Sequence, residues 1–194
     1  MIDGPFLWYM NRGTGFVILA LFTLTTVLGI LATGGRAGRG RVPRFLTQSV
    51  HRDLALLSVT MLGVHVATAV VDSYVDIRWW QALVPFVGST YQPLWLGLGT
   101  LSLDLFVVVA LTSLLRTRMR HRSWRAVHLL AYAGWVAALV HGMGIGTDAA
   151  AGTTWSTVLF MASVGAVAGA VALRLGRLVV DRSDRRPVAL GSRS

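Results

Sequence analysis

Five long apolar stretches, separated by short polar ones, organise this chain. They fall near residues 14–33, 50–71, 94–115, 124–143 and 155–174. A bilayer core of about 30 Å takes about 20 helical residues, so each stretch matches one crossing. In such continuous runs, period does not separate helix from strand. Length does, since strands seldom pass about ten residues. A membrane barrel would need alternating polarity, which these runs lack. The pattern predicts an all-α integral membrane protein, a five-span transmembrane helix bundle over residues 1–180. Residues 181–194 are polar, without apolar periodicity, and read as a flexible cytoplasmic tail.

Composition narrows this further. Of 194 residues, 54% are hydrophobic and only 13% charged, against roughly 25% charged in soluble domains. That excludes a water-soluble globule, a disordered chain and a fibrous repeat. The absence of cysteine removes disulfides, thiolate metal sites, iron–sulfur clusters and cysteine nucleophiles. The net charge is +10, carried by arginine alone. Set between apolar runs, this charge speaks first of topology and gives no reason to expect nucleic acid. Five arginines lie in 34–52, five in 116–125 and six from Arg174 onward, sixteen against only Arg12 and Arg78 on the other side. By the positive-inside rule the N-terminus is outside and the C-terminus cytoplasmic, in a cell membrane of the bacterial inner-membrane kind. Trp8, Tyr9, Trp79, Trp80, Tyr91, Trp95 and Trp155 fall near the outer interface, where amphipathic rings settle. The leading residues, Met1 to Asn11, carry no positive charge, and the basic cluster follows the first span, the reverse of a cleaved signal. The longest outer connection, 73–93, reads as a short interfacial helix or cap.

The chemistry lies in the histidines. His51 and His65 stand 14 apart in the second span, and His128 and His141 stand 13 apart in the fourth. Fourteen residues rise about 21 Å and return to within about 40° of the same face. The two spans run in the same direction, so His51 meets His128 at one depth and His65 meets His141 at another. Ionisable side chains inside a membrane default to function, and a bis-imidazole pair closes both axial positions of a haem. The spacing predicts two haem b groups, with His51 and His128 as iron ligands at the inner one and His65 and His141 at the outer. Structural histidines or another metal are the alternatives. A spacing of 13 is off by about 140° on an ideal helix, so the fourth span must bend or carry a π-type bulge, with Gly134 the candidate position.

Two His pairs so spaced, within His51-Arg52-Asp53-Leu54 through Gly63-Val64-His65 and Trp124-Arg125-Ala126-Val127-His128 through Leu139-Val140-His141-Gly142, resemble the haem core of the ferric reductase and NADPH oxidase superfamily. The likeness spans roughly 14–174 and is nearest to the short ferric reductase-like transmembrane proteins. It implies electron flow from the cytoplasmic side, through inner and outer haems, to the outside. Members commonly have six spans, and the peripheral first one has no counterpart here. Larger members carry a flavin- and NADPH-binding domain. This sequence shows no Gly-rich dinucleotide fingerprint after a strand, and Gly142, Gly144 and Gly146 read as opening a loop. The donor would be a separate flavoprotein reductase or a quinol, and the acceptor an extracytoplasmic protein or small molecule.

The remaining expectations are local. Arg52 and Arg125 are candidate partners of an inner haem propionate, or ordinary topology arginines. Asp104, deep in the third span, would bond a ligand imidazole or serve as a structural polar group. Met61 reads as core filling and His121 as a solvated loop residue. Gly63 and Ala67 leave room for a flat porphyrin, and Gly165 and Gly169 form a GxxxG pair that reads as close packing inside the bundle, with a dimer face as the alternative. The reading is a haem-dependent membrane oxidoreductase or the electron-transfer subunit of one. A quinol-fed haem subunit of a periplasmic reductase, like the membrane partner of methionine sulfoxide reductase, is one rival. A non-catalytic membrane scaffold or small transporter is the other.

Overall fold

The computed structural model describes residues 6–32, 44–72, 77–89, 91–146, 148 and 151–183. Its helices are α1 (Phe6–Ala32), α2 (Arg44–Val71), α3 (Pro93–Leu114), α4 (His121–His128), α5 (Leu130–Ile145) and α6 (Thr154–Ser183). Among the described residues there is no strand. α4 and α5 form one span interrupted at Leu129. Five helical segments are therefore long and apolar enough to cross a membrane, as the hydrophobic pattern predicts. α6 runs to Ser183, into the segment expected to be flexible. The rest of that tail lies outside the described residues.

α1 lies at the centre, packed on α2, α5 and α6, while α3 pairs with α5. All five spans contribute to one core: Ile18, Leu19 and Phe22 from α1, Leu62 from α2, Phe106 from α3, Trp135 and Leu139 from α5, and Phe160 from α6. Phe22 and Phe106 stack at 3.7 Å. Apolar burial drives little association between helices in lipid, so close packing and interhelical hydrogen bonds must hold the bundle, the latter worth roughly 0.6 kcal/mol each on average. Trp135 Nε1 donates to Thr23 Oγ1 at 3.0 Å, and Ser102 Oγ to the Gly134 carbonyl at 3.0 Å.

Several local expectations are corrected. α1 begins eight residues before the predicted span start of 14. Its polar opening is satisfied by α2, with Asn11 Nδ2 donating to the His65 carbonyl at 2.8 Å and to Thr68 Oγ1 at 3.2 Å. The irregularity in the fourth span is at Leu129, not Gly134. It is a tightened turn, not a π bulge: Leu129 N–H is shared between the Arg125 and Ala126 carbonyls, and Tyr132 N–H bonds the Leu129 carbonyl. A 3₁₀-like turn rotates the chain about 20° more per residue than an α-turn, the direction that a 13-residue spacing requires. Gly134 instead lets α5 close on α3, where a Cβ would meet the Phe106 ring at 3.3 Å. Gly142 and Gly144 lie within α5, not in a loop, and a Cβ at Gly144 would strike the Trp95 ring at 2.0 Å. Gly165 and Gly169 are exposed, with nothing within 4 Å. α6 packs on α1 through its other face, so the GxxxG pair does not pack inside the bundle.

Where a short interfacial helix or cap is expected, the described residues of the 73–93 connection hold one short 3₁₀ turn, Trp79–Ala82; residues 73–76 and 90 lie outside the described ones. It is pinned to α3. Thr100 Oγ1 donates to the Gln81 carbonyl at 3.0 Å, and buried Gln81 Nε2 donates to the Gly88 carbonyl at 2.6 Å. Phe86 takes a φ of 64°, strained for a side chain with a Cβ, and its ring lies against Gly97.

Candidate functional site

The four span histidines meet in two pairs. The rings of His51 and His128 stand 6.3 Å apart between centroids, at 66°. His65 and His141 line a common cavity of about 230 Å³ among α1, α2, α3, α5 and α6, walled mainly by apolar side chains such as Leu19, Phe22, Leu62 and Phe160. The helices that carry the histidines each pack on a different neighbour, α2 on α1 and α5 on α3. The core cluster lies between the two pairs along the bundle, because Ile18–Phe22 fall between the α1 residues that touch His65 and those that touch His51.

Three imidazoles are held in the same way. His65 Nδ1 is 3.0 Å from the Asn11 carbonyl, His51 Nδ1 is 3.0 Å from the Thr25 carbonyl, and His141 Nδ1 is 2.7 Å from the Trp95 carbonyl. A carbonyl only accepts, so Nδ1 carries the proton in each and Nε2 keeps its lone pair. That is the tautomer a metal-binding imidazole needs, and a backbone carbonyl is a usual partner for its other nitrogen. One turn beyond each carbonyl stands a glycine that the ring rests on. A Cβ at Gly15 would meet His65 Cε1 at 3.3 Å, and one at Gly29 would meet His51 Cε1 at 3.3 Å. A Cβ at Gly99 would meet His141 Cε1 at 2.6 Å. Each cradle is therefore a carbonyl at one position and a glycine four later. On α1 the two cradles repeat after 14 residues, the spacing of His51 and His65 on antiparallel α2. His128 lacks this support: its buried Nδ1 has no hydrogen-bond partner among the described residues. It stacks instead on Trp124, at 5.0 Å and 27°.

The other expected residues are placed as follows. Arg52 is 73% exposed, and its Nε lies 3.4 Å from Asp53 Oδ1. Arg125 is exposed. Neither is brought against a span histidine. His121 is exposed at the start of α4, tilted on Trp124. Met61 packs on the core, as expected. Gly63 and Ala67 are exposed on the far side of α2 from His65, a correction that follows from 100° per residue: two residues either way turn about 200°. Asp104 is half-buried on α3 and makes neither expected bond among the described residues; the carbonyls take the role of orienting the imidazoles.

The glycines and carbonyls escape the sequence reading, and so does Arg12. It lines the cavity, pairs with Asp148 and sits 4.6 Å above the Trp8 ring. Asp148 is held in turn by Thr153 and buried Ser156, whose hydroxyls lie 3.2 and 3.3 Å from its carbonyl. The ion pair is mostly buried, at 18% and 20% side-chain exposure. Arg12→Gln is expected to cost about 1.5–3 kcal/mol of stability, as for other hydrogen bonds to charged groups. Asp148→Asn should cost a similar amount, and the double variant less than the sum, because both remove one interaction. Denaturant unfolding in detergent measures this. Full additivity would show that the two do not act together.

Comparison with characterised proteins and with solved structures returns no match. A family model described as a domain of unknown function (DUF8596) matches residues 6–148, a stretch that contains all four span histidines, the three glycine cradles and the Arg12–Asp148 pair. The chain belongs to the DUF8596 family.

Proposed function

We propose that this protein is a multi-pass cell-membrane carrier of electrons that holds two b-type haems. His51 and His128 ligate one, and His65 and His141 the other. The observation that carries the proposal is the repeated cradle, which fixes Nδ1 on a carbonyl and leaves Nε2 free to bond iron. A structural histidine would also give its Nδ1 proton to a carbonyl; what favours the haem reading over a scaffold or transporter is that the rings come in two pairs, one at 6.3 Å between centroids and one on a common cavity.

The residues also fit the group by geometry. Two imidazoles that each bond one ion at roughly 2 Å, with about 1 Å more from nitrogen to ring centre, stand about 6 Å apart between centroids. His51 and His128 stand at 6.3 Å. No three His or Asp side chains converge among the described residues. A bare ion would therefore find only two protein ligands, whereas a porphyrin brings four nitrogens of its own. Bound haem supplies one-electron exchange between ferric and ferrous iron. The protein aims the imidazoles, keeps water from the apolar cavity and places the two sites at different depths. Arg52 and Arg125 are proposed to receive propionates of the haem near the arginine-rich ends.

The arginine distribution supports a cytoplasmic C-terminus and an outside N-terminus, with His51–His128 as the inner pair. Electrons then enter from a separate flavoprotein reductase or a quinol, with the basic face suited to an acidic partner. They leave to an extracytoplasmic acceptor. The resemblance to ferric reductase-like proteins supports the same direction. An absorption spectrum of the purified protein tests the cofactor: two low-spin haems per chain are expected, and a colourless protein would overturn the proposal.

A further inference from the structure

We infer that His128 is the exchangeable axial ligand, and that the site it forms with His51 opens to a small neutral ligand of the carbon monoxide class while the His65–His141 site stays closed. The inference rests on the haem reading and concerns a difference between the two sites.

Four-fold repetition would place a carbonyl and a glycine beside each imidazole. Three positions conform. On α3, fourteen residues beyond Trp95 and Gly99, the register reaches Val109 and Ser113. Ser113 has a Cβ where the other cradles have none, and its buried hydroxyl has no partner among the described residues. His128 Nδ1 and Trp124 Nε1 are buried without partners as well. What holds the His128 ring is the stack on Trp124, one turn earlier in its own helix, with Arg116 lying 4.6 Å over that indole. His128 is also the last residue of α4, beside the break at Leu129.

An imidazole whose Nδ1–H bonds an acceptor is more basic and more firmly aimed. Loss of such a partner typically costs a metal site about 10–100-fold in affinity. His128 would thus hold the iron least firmly of the four. On its release His51 would keep the group, and the incoming ligand would take the position that His128 leaves. No electron or proton changes hands. A small neutral ligand suits the position because it needs only the place that His128 gives up and no charged partner of its own.

Carbon monoxide titrated into the dithionite-reduced two-haem protein tests this. About half of the haem should convert to the carbonyl form. His65→Ala, which keeps only the His51–His128 haem, should convert fully, and Gly99→Ala gives the same comparison without removing a ligand. His51→Ala, which keeps only the other haem, should not convert. Trp124→Leu, which frees the ring further, should raise carbon monoxide affinity about tenfold. Conversion of both haems or of neither in the wild-type protein overturns the inference, as does conversion confined to the His65–His141 haem. Protein that carries no haem overturns the functional proposal itself. Protein with two haems that both refuse carbon monoxide overturns this inference alone.

Discussion

His51→Ala and His128→Ala should each purify with one haem, missing the same one, while His65→Ala and His141→Ala should each lack the other. Replacing an axial ligand removes the bond itself, a larger loss than the 10–100-fold typical of an outer hydrogen-bond partner. The pairing is the informative part. His51 and His128 come from different helices and share one site, so the double variant His51→Ala/His128→Ala should lose no more haem than either single one. The cross-pair variant His51→Ala/His65→Ala should lose both. Haem per chain, measured as the pyridine complex, reads the count. If all four single variants kept both haems, the ligand assignment would be wrong. If losses did not group by pair, the depth argument would be wrong.

Gly99→Ala should cost the protein its outer haem, although it improves the helix. Alanine in a helix interior is about 1 kcal/mol more favourable than glycine. At this position the new Cβ would stand 2.6 Å from His141 Cε1 and 2.7 Å from Nδ1, closer than carbon atoms pack. The ring must leave the Trp95 carbonyl, so the tautomer and direction of Nε2 are no longer fixed. A drop in haem affinity on the order of 10–100-fold is expected. Gly15→Ala and Gly29→Ala, at 3.3 Å, should weaken haem retention less. Gly63→Ala is the matched control, with open space around it and no imidazole near; it should keep both haems. Equal haem content in Gly99→Ala and Gly63→Ala would remove the cradle from the account.

The hydrophobic runs made the five spans legible, because a bilayer demands length and apolarity and little else. The histidines were legible for the same reason: few ionisable groups survive there, so their spacing stands out. Helix ends were less so. Asn11 and Arg12 lower local hydropathy, yet α1 runs through them because α2 and Asp148 satisfy their polar groups. The break at Leu129 has no glycine or proline to announce it, and Gly134, which looked like a breaker, is there to admit Phe106. The carbonyls that orient the imidazoles have no letter in a sequence at all. Their one trace is the 14-residue interval between Gly15 and Gly29, equal to that between His51 and His65. Gly63 and Ala67 were small residues near a ligand in sequence and across the helix from it in space.

Electrons are proposed to cross the membrane through both sites in series. Sealed vesicles that contain the two-haem protein, with a reductant on the arginine-rich side and an impermeant acceptor on the other, put it to the test. Wild-type protein should reduce the acceptor, and His65→Ala should stop this while its remaining haem is still reduced. An unchanged rate of acceptor reduction in His65→Ala would contradict it.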